Sequence, residues 1–437
     1  MATTACGVGA GALLPDDVLR DIFSRLPDPN DLLRCAHTCR HWHRLLGELA
    51  FLRQRASFIP GAFSQLATDP IGPKEPMKRN ESLYPPQFEG LHTPQPDGLR
   101  FSDLALFFPR DGGLFDYANP LASRRGLLLL RIKPMPFDSR KLHLVVCHPL
   151  IGEQGTRLLP PPPLNVDPKS GGDDVIGYAI VTAADHSNLH HQQRHSAFHV
   201  FFTAVGSDKQ LRAYSYSSAM GRWGTPIDCP QVFRLTMSGP RAGTVAEGAV
   251  HWLYTDDTSY YTLDVGTDSE QAVSLTKIPV QVRHYTHYWP PPPFPCTVRG
   301  KLAFVHAYYI GKLELWTKQE NNDDHGVGGW LCSELMYEPG NNITMYAFLE
   351  NKGAMLIQTG FGFFTLDLES KELDRMADLT WDTRKLCDEY MCGKRNRCGD
   401  CTYNKRVIYE MDWPSYLLHL YGHKEVVQHG EDDACRI

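Results

Sequence analysis

Four cysteines lie close together late in the chain, at Cys387, Cys392, Cys398 and Cys401. Thiolates can hold a structural zinc tetrahedrally, and Cys398-Gly399-Asp400-Cys401 has the spacing of a zinc knuckle with a glycine at the turn. The first pair sits at the wide limit of that pattern. The stretch between the pairs, Gly393-Lys394-Arg395-Asn396-Arg397, is basic and loop-like. A surface loop with no metal is the reading adopted, with zinc as the alternative. A second cluster, His190, His191, His195 and His199, would place 191, 195 and 199 on one face of a helix and offer three imidazoles to a metal. His199, however, leads into Val200-Phe201-Phe202-Thr203-Ala204, a β-type run, so a histidine-rich loop between strands is expected. Gly7-Val8-Gly9-Ala10-Gly11 lacks the preceding strand that a dinucleotide-binding turn needs. No nucleophile elbow, phosphate-loop lysine or His-Glu-x-x-His run occurs. No catalytic residue and no cofactor is assigned, and the chain is expected not to be an enzyme.

Any interaction surface must then be carried by folded elements. The chain has 437 residues, 42% of them hydrophobic and 22% charged, enough to bury a large core beside one small module. A net charge of -6 supplies no basic field for phosphates, so no nucleic-acid partner is expected. Residues 1–12 read as a flexible N-terminus without the basic and apolar regions of a secretory signal. The longest apolar runs, such as Leu127 to Leu130, are far too short to span a bilayer. No membrane partner is expected, and an intracellular location, in the nucleus and/or cytosol, follows. Cysteines inside apolar patterns, such as Cys35, Cys39 and Cys147, read as core thiols.

Residues 13–56 carry a helical pattern. Pro15 suits a first helical position, and Asp16 and Asp17 complement the positive end of a helix dipole. Val18, Leu19, Ile22, Phe23 and Leu26 recur at helical spacing, and Pro27-Asp28-Pro29 ends the run. Leu32, Leu33 and Ala36 give a second stripe; Trp42, Leu45, Leu46 and Leu49 give a third. Three helices this short persist only by packing on one another. So small a bundle cannot cover all these side chains, and an uncovered apolar face invites a partner.

Leu14-Pro15, Ile22-Phe23-Ser24-Arg25-Leu26-Pro27, Asp31-Leu32-Leu33-Arg34 and Cys39-Arg40-His41-Trp42 occur in an order that resembles the F-box motif. The resemblance implies a three-helix F-box that binds the Skp-type adaptor of a cullin ubiquitin ligase. It places Leu14, Pro15, Val18, Leu19, Ile22, Phe23, Leu26, Pro27, Leu32 and Leu33 at or near the adaptor, with Trp42 holding the third helix. An unrelated three-helix bundle with the same leucines in its core is the alternative.

Residues 57–98 are rich in proline and glycine and read as linker, with room for one outer strand. From about residue 99 to 420 the pattern becomes β. A glycine turn precedes an apolar strand at Gly126-Leu127, Gly177-Tyr178, Gly248-Ala249, Gly300-Lys301 and Gly353-Ala354. A second strand follows, as at Leu211 to Tyr216, Tyr260 to Val265, Leu313 to Trp316 and Phe363 to Leu368. A third ends near proline, as at Leu158-Leu159-Pro160 and Ile278-Pro279. Units of this kind bury both faces by radial stacking, so a kelch-like β-propeller is expected, with a β-sandwich as the alternative. Val145-Val146-Cys147-His148-Pro149-Leu150-Ile151-Gly152-Glu153 also resembles the F-box-associated region of plant F-box proteins. Residues 421–437 read as a flexible tail. The chain as a whole is expected to combine a small helical F-box with a large all-β domain.

The function expected is that of a substrate-recognition subunit, with the F-box on the adaptor and the β-domain on an unknown protein target. Two proline runs, Pro160 to Pro163 and Pro290 to Pro293, read as connecting loops between strands, and the aromatic residues beside the second, Trp289 and Phe294, are the candidate target contacts. The alternatives are a non-degradative F-box scaffold, an enzyme with its site in a propeller channel, and a zinc-dependent nucleic-acid binder that uses the late cysteines.

Overall fold

The computed structural model describes residues 14–25, 35, 41–42, 45, 60–64, 87–90, 118–132, 142–148, 155–164, 175–182, 185, 197–206, 208–230, 235–256, 258–267, 272–281, 291–308, 311–319, 329–337, 343–375 and 406–410. The chain divides into two compact units, Met1–Phe58 with Asp412–Ile437, and Ile59–Met411. The second is all β.

Its first two strands, β1 (Pro60–Ser64) and β2 (Gln87–Gly90), pair with each other. Five blades follow in chain order. The first is β3 (Asn119–Arg124), β4 (Leu127–Ile132), β5 (His143–Cys147) and β6 (Arg157–Leu158). The second is β7 (Val175–Thr182), β8 (Phe198–Val205) and β9 (Leu211–Ser217), with β10 (Arg222–Trp223) and β11 (Ile227–Asp228) both paired to β9. The third has an interrupted inner strand, β12 (Thr236–Met237) and β13 (Thr244–Ala246), then β14 (Ala249–Thr255), β15 (Ser259–Gly266) and β16 (Val273–Gln281). The fourth is β17 (Phe294–Val298), β18 (Lys301–Tyr308), β19 (Lys312–Lys318) and β20 (Trp330–Tyr337). The fifth is β21 (Thr344–Leu349), β22 (Ala354–Thr359), β23 (Gly362–Asp367) and β24 (Leu373–Arg375). The last strand, β25 (Arg406–Glu410), pairs with β1.

Inner strands touch in a closed cycle: β3 with β7, β7 with β13, β13 with β17, β17 with β21, β21 with β25, and β25 with β3. The large unit is thus a five-bladed propeller whose ring is closed by a three-stranded sheet. Strands from both ends of the unit build that sheet.

The recurring glycine turns are largely the hairpins that join inner strand to second strand. At Arg125-Gly126, Glu247-Gly248 and Arg299-Gly300 both central residues have positive φ, for example 46° and 77° at the first. This is the arrangement of a type I′ turn, whose twist matches that of the flanking strands. Second strands read as continuous apolar runs because each is buried on both faces. On β14, Val250, Trp252 and Tyr254 pack toward the second blade, while Leu253 packs toward Leu302 and Phe304 of the fourth. On β8, Val200 and Phe202 join the first blade and Phe201 joins the third.

Gly177 departs from the expected pattern. It lies inside β7, beside a bulge, and not in a turn. A Cβ there would stand 2.6 Å from Cδ1 and Nε1 of the buried Trp252, so absence of a side chain lets the second and third blades approach. Gly177→Ala should lower stability by about 1–3 kcal/mol through overpacking. A urea melt of the propeller checks this.

Other expectations are corrected or refined. Residues 57–98 supply two strands of the closing sheet. Phe294 is not an exposed loop residue. It begins β17 opposite Val305, is 6% exposed and packs with Cys296, Ala303 and Met345. His199 sits within β8 and its Nε2 lies 3.1 Å from Ser217 Oγ, so it belongs to a strand and not to a helical metal face. The first proline run, from Pro160, is a connecting segment, and its Pro160 carbonyl accepts the Trp223 indole N–H at 2.7 Å. Trp289, the late cysteines Cys387, Cys392, Cys398 and Cys401, and the expected N-terminal and C-terminal tails lie outside the described residues.

Candidate docking helix and channel mouth

The described helix of the small unit, α1 (Asp16–Arg25), starts where the sequence chemistry puts it. The Leu19 N–H donates to the Pro15 carbonyl at 3.0 Å, and Asp16 and Asp17 occupy the first turn. Asp16 also pairs with His41 at 3.0 Å, and Arg25 with Asp21 at 2.8 Å on the exposed side.

The apolar residues of α1 fall on two sides. Leu19 and Phe23 are 3% and 1% exposed, and Phe23 meets the Trp42 ring edge-on at 5.2 Å between centroids. Leu14, Val18 and Ile22, each four residues apart, are 49%, 39% and 41% exposed. Burying a large apolar side chain is worth roughly 1.5–3 kcal/mol, so three left half-open in a row form a surface with stabilisation to gain from a partner. Leu19 and Phe23, expected at or near the adaptor, are buried within this unit. Pro15 is exposed beside Leu14. Leu26, Pro27, Leu32 and Leu33 lie outside the described residues, and of the two further helices expected only Cys35, His41, Trp42 and Leu45 are described.

Residues 12–57 match the F-box-like family. The F-box-like region therefore contains α1 and its exposed stripe. No curated protein matches the chain. Solved structures with some likeness include a puromycin-hydrolyzing peptidase of Mycobacterium tuberculosis, at 9% identity and a TM-score of 0.35 over 59% of this chain and 37% of that one. They also include the WD40 domain of SCAP from fission yeast, at 8% identity and 0.31 over 59% and 53%. A GH93 alpha-L-arabinofuranosidase of Fusarium graminearum gives 11% identity and 0.32 over 58% and 77%. The chain spans little more than a third of the peptidase's length.

The second place where chemistry concentrates is one mouth of the propeller channel. Arg124, the last residue of β3, has 9% of its side chain exposed. Its Nε and Nη2 donate to Asp185 at 3.2 and 2.8 Å, a two-pronged contact, and its Nη1 meets Glu350. Arg125 Nη2 reaches the same Asp185 at 3.2 Å. Asp185 further accepts the Thr182 N–H at 2.7 Å and the Thr182 hydroxyl at 2.9 Å. Burial alone would raise the Asp185 carboxyl, but the hydrogen bond and charge of Arg124, the charge of Arg125 and the Thr182 N–H overcome it and hold the pKa at about 2. The Arg124 guanidinium is penalised by burial and more than compensated by Glu350 and Asp185, so it stays charged.

Glu410 ends β25 at the same mouth. Its Oε2 accepts the Glu350 N–H at 2.7 Å, its Oε1 accepts the Asn351 N–H at 3.1 Å, and its carbonyl accepts the Gly126 N–H at 3.1 Å. Burial, then the Glu350 charge, push this carboxyl up to about 8 against the two N–H donors and Arg124.

A channel cavity of about 150 Å³ lies beneath, with Ser123, Tyr178, Thr244 and Tyr346 among its lining. The loop between β12 and β13 narrows it. The Tyr178 N–H donates to the Arg241 carbonyl at 2.9 Å, and the Gly243 N–H donates to the Tyr178 carbonyl at 2.7 Å.

Other groups that look reactive are occupied. His251 Nδ1 is 2.7 Å from Asp264, and its Nε2 is 3.1 Å from the Ala246 carbonyl, so neither nitrogen faces a substrate. Cys147 and Cys296 are buried with thiol pKa values raised by burial, and Cys229 is pushed to about 12. Among the described residues no group of three or more His, Cys, Asp or Glu side chains is arranged to hold a metal. The sequence reasoning missed the channel-mouth cluster. The only signal available was an acidic residue, Glu410, set in the apolar run Val407-Ile408-Tyr409.

Proposed function

We propose that this chain is a substrate-recognition subunit of a Skp–cullin–F-box ubiquitin ligase. The F-box-like region docks on a Skp-type adaptor through Leu14, Val18 and Ile22, and the propeller holds a protein target. The carrying observation is the half-exposed apolar stripe on α1 within a segment that matches the F-box-like family. The chain then acts by proximity. A target held on the propeller raises the effective concentration of its lysines at the conjugating enzyme carried elsewhere on the cullin. This role needs no active site in the chain, and its setting is the nucleus or cytosol.

The channel supports the same reading. Sites for small substrates usually enclose about 300–1,000 Å³, against about 150 Å³ here. At the mouth Arg124, Asp185 and Glu350 are engaged with one another.

The test is reconstitution. Immobilised chain is incubated with purified Skp-type adaptor and cullin, then with captured target, conjugating enzyme and ubiquitin. Retention of adaptor and cullin, followed by ubiquitin on the target, is expected. Retention without transfer would instead make the chain a non-degradative scaffold. Retention of neither by a folded chain would overturn the proposal.

A further inference from the structure

We propose that the proline ridge at residues 160–163, on the seam between the first and second blades, is a docking site for a polyproline-reading domain whose short aromatic groove takes the pair Pro160-Pro161. The site is separate from the α1 stripe and stands on the propeller alone.

The chemistry of the segment fixes its shape. Proline holds φ near about -65°, and a residue that precedes proline is pushed to an extended ψ. Pro160, Pro161 and Pro162 each meet both conditions, so they form a turn of polyproline II helix, which repeats every three residues. Exposure follows that period. Leu159 is 2% exposed and Pro162 is half-buried on the inward edge, while Pro160, Pro161 and Pro163 are exposed. Two of the three edges therefore face solvent. The ridge is pinned at both ends. It leaves the edge strand β6, where the Leu159 N–H donates to the Leu144 carbonyl at 2.9 Å and the Leu159 side chain joins the core of the first two blades. From the second blade the Trp223 indole N–H holds the Pro160 carbonyl at 2.7 Å, and Arg157 Nη1 donates to the Ser218 carbonyl at 2.9 Å. At the far end the Leu164 N–H turns back to the Pro162 carbonyl at 2.8 Å, and the Leu164 side chain packs on the same core.

The same features select the occupant. An added β-strand is excluded, because consecutive prolines offer no N–H to a ladder. The carbonyls of Pro160 and Pro162 are taken, and among the described residues nothing donates to that of Pro161. That carbonyl, between two exposed pyrrolidine rings, suits a groove that stacks aromatic rings on prolines and donates an indole N–H or phenol O–H. The ridge already has its bound shape, so such a groove orders nothing on docking. A groove that reached back to Leu159 would meet a buried side chain, so the one that fits is short, as in WW domains. The second proline run makes no such offer. Pro291 and Pro292 are half-buried, and Pro293 is buried just ahead of β17.

Titration of the full chain into a panel of purified, fluorescently labelled WW domains, read by anisotropy, tests this. Saturable binding by at least one domain is expected. The double variant Pro160→Ala/Pro161→Ala, at two exposed positions, should weaken that binding at least about tenfold, the scale of losing an interface anchor, with the thermal melt unchanged. If its melt shifts, Pro161→Ala alone is read instead and should weaken binding by about threefold or more. Pro291→Ala/Pro292→Ala is the control and should bind as the wild type does. A folded chain that no domain of the panel binds would overturn the docking site. So would a proline-ridge variant that binds like the wild type, or an equal loss in the control at an unchanged melt.

Discussion

Replacing Leu14 and Ile22 together by aspartate is expected to weaken binding to a Skp-type adaptor by at least about 100-fold while leaving the chain folded. Both side chains are close to half exposed, and substitutions at such positions change stability by only about 0.5 kcal/mol. In a docked complex each would be buried. The lost transfer energy is roughly 1.5–3 kcal/mol per side chain, and about 1.4 kcal/mol is a factor of ten in affinity. Carboxylates forced into an apolar contact add to the loss. The contrasting variant is Leu19→Ala, on the same helix between those two positions and 3% exposed. It should cost about 2–5 kcal/mol of the small unit's stability. Its effect on binding should follow the unfolded fraction only. Calorimetric titration, with circular dichroism on each variant, separates the two outcomes. Equal binding losses at matched helicity would contradict the division of α1 into an outer and an inner side.

Arg124→Leu is expected to be the most damaging single change in the propeller. The leucine removes the cation and leaves Asp185 without the two-pronged contact and Glu350 without its partner. Breaking a buried ion pair from one side typically costs about 3–5 kcal/mol, because the remaining charge stays desolvated. The pH dependence carries a second signature. Asp185 is held at about 2, below the ordinary 3.8, so its contribution is fully present above about pH 4 and is lost as pH falls through 2. That contribution is about 2 kcal/mol. With Arg124→Leu this acid step should shrink, because the strongest of the groups that depress the Asp185 carboxyl is gone and only Arg125 and the Thr182 N–H remain to lower it. Urea melts at pH 2, 4 and 6 on both chains read the loss and the step together. An unchanged acid step in the variant would show that Arg124 is not its cause.

Second and third strands were legible because they are buried on both faces and begin at turn residues. Leu127 to Leu130, Ala249 to Leu253 and Phe363 to Leu368 fall within β4, β14 and at β23. Of the inner strands only β7 was legible, from Tyr178 to Val181; the others were not. They face the channel with mixed side chains, as in Asn119-Pro120 and Thr344-Met345-Tyr346, and Pro120 sits at a bulge where a missing N–H is tolerated. The proline run before Phe294 carried the same ambiguity. An aromatic residue after prolines reads as a loop anchor, but here it opens a strand. On α1 the helical period was plain, yet a stripe that covers more than one side cannot say which part faces inward; Trp42 against Phe23 decides it. The channel mouth was invisible for a different reason. Arg124 is 61 residues from Asp185 and 226 from Glu350, and no local spacing signals a cluster assembled by closing a ring.

The most direct test of the central claim is a calorimetric titration of the 437-residue chain with purified Skp-type adaptor. Saturable one-to-one binding with a negative heat-capacity change, the mark of apolar burial, is the predicted result. A chain that melts cooperatively, shows the helical signal of its small unit and still binds no adaptor would contradict it.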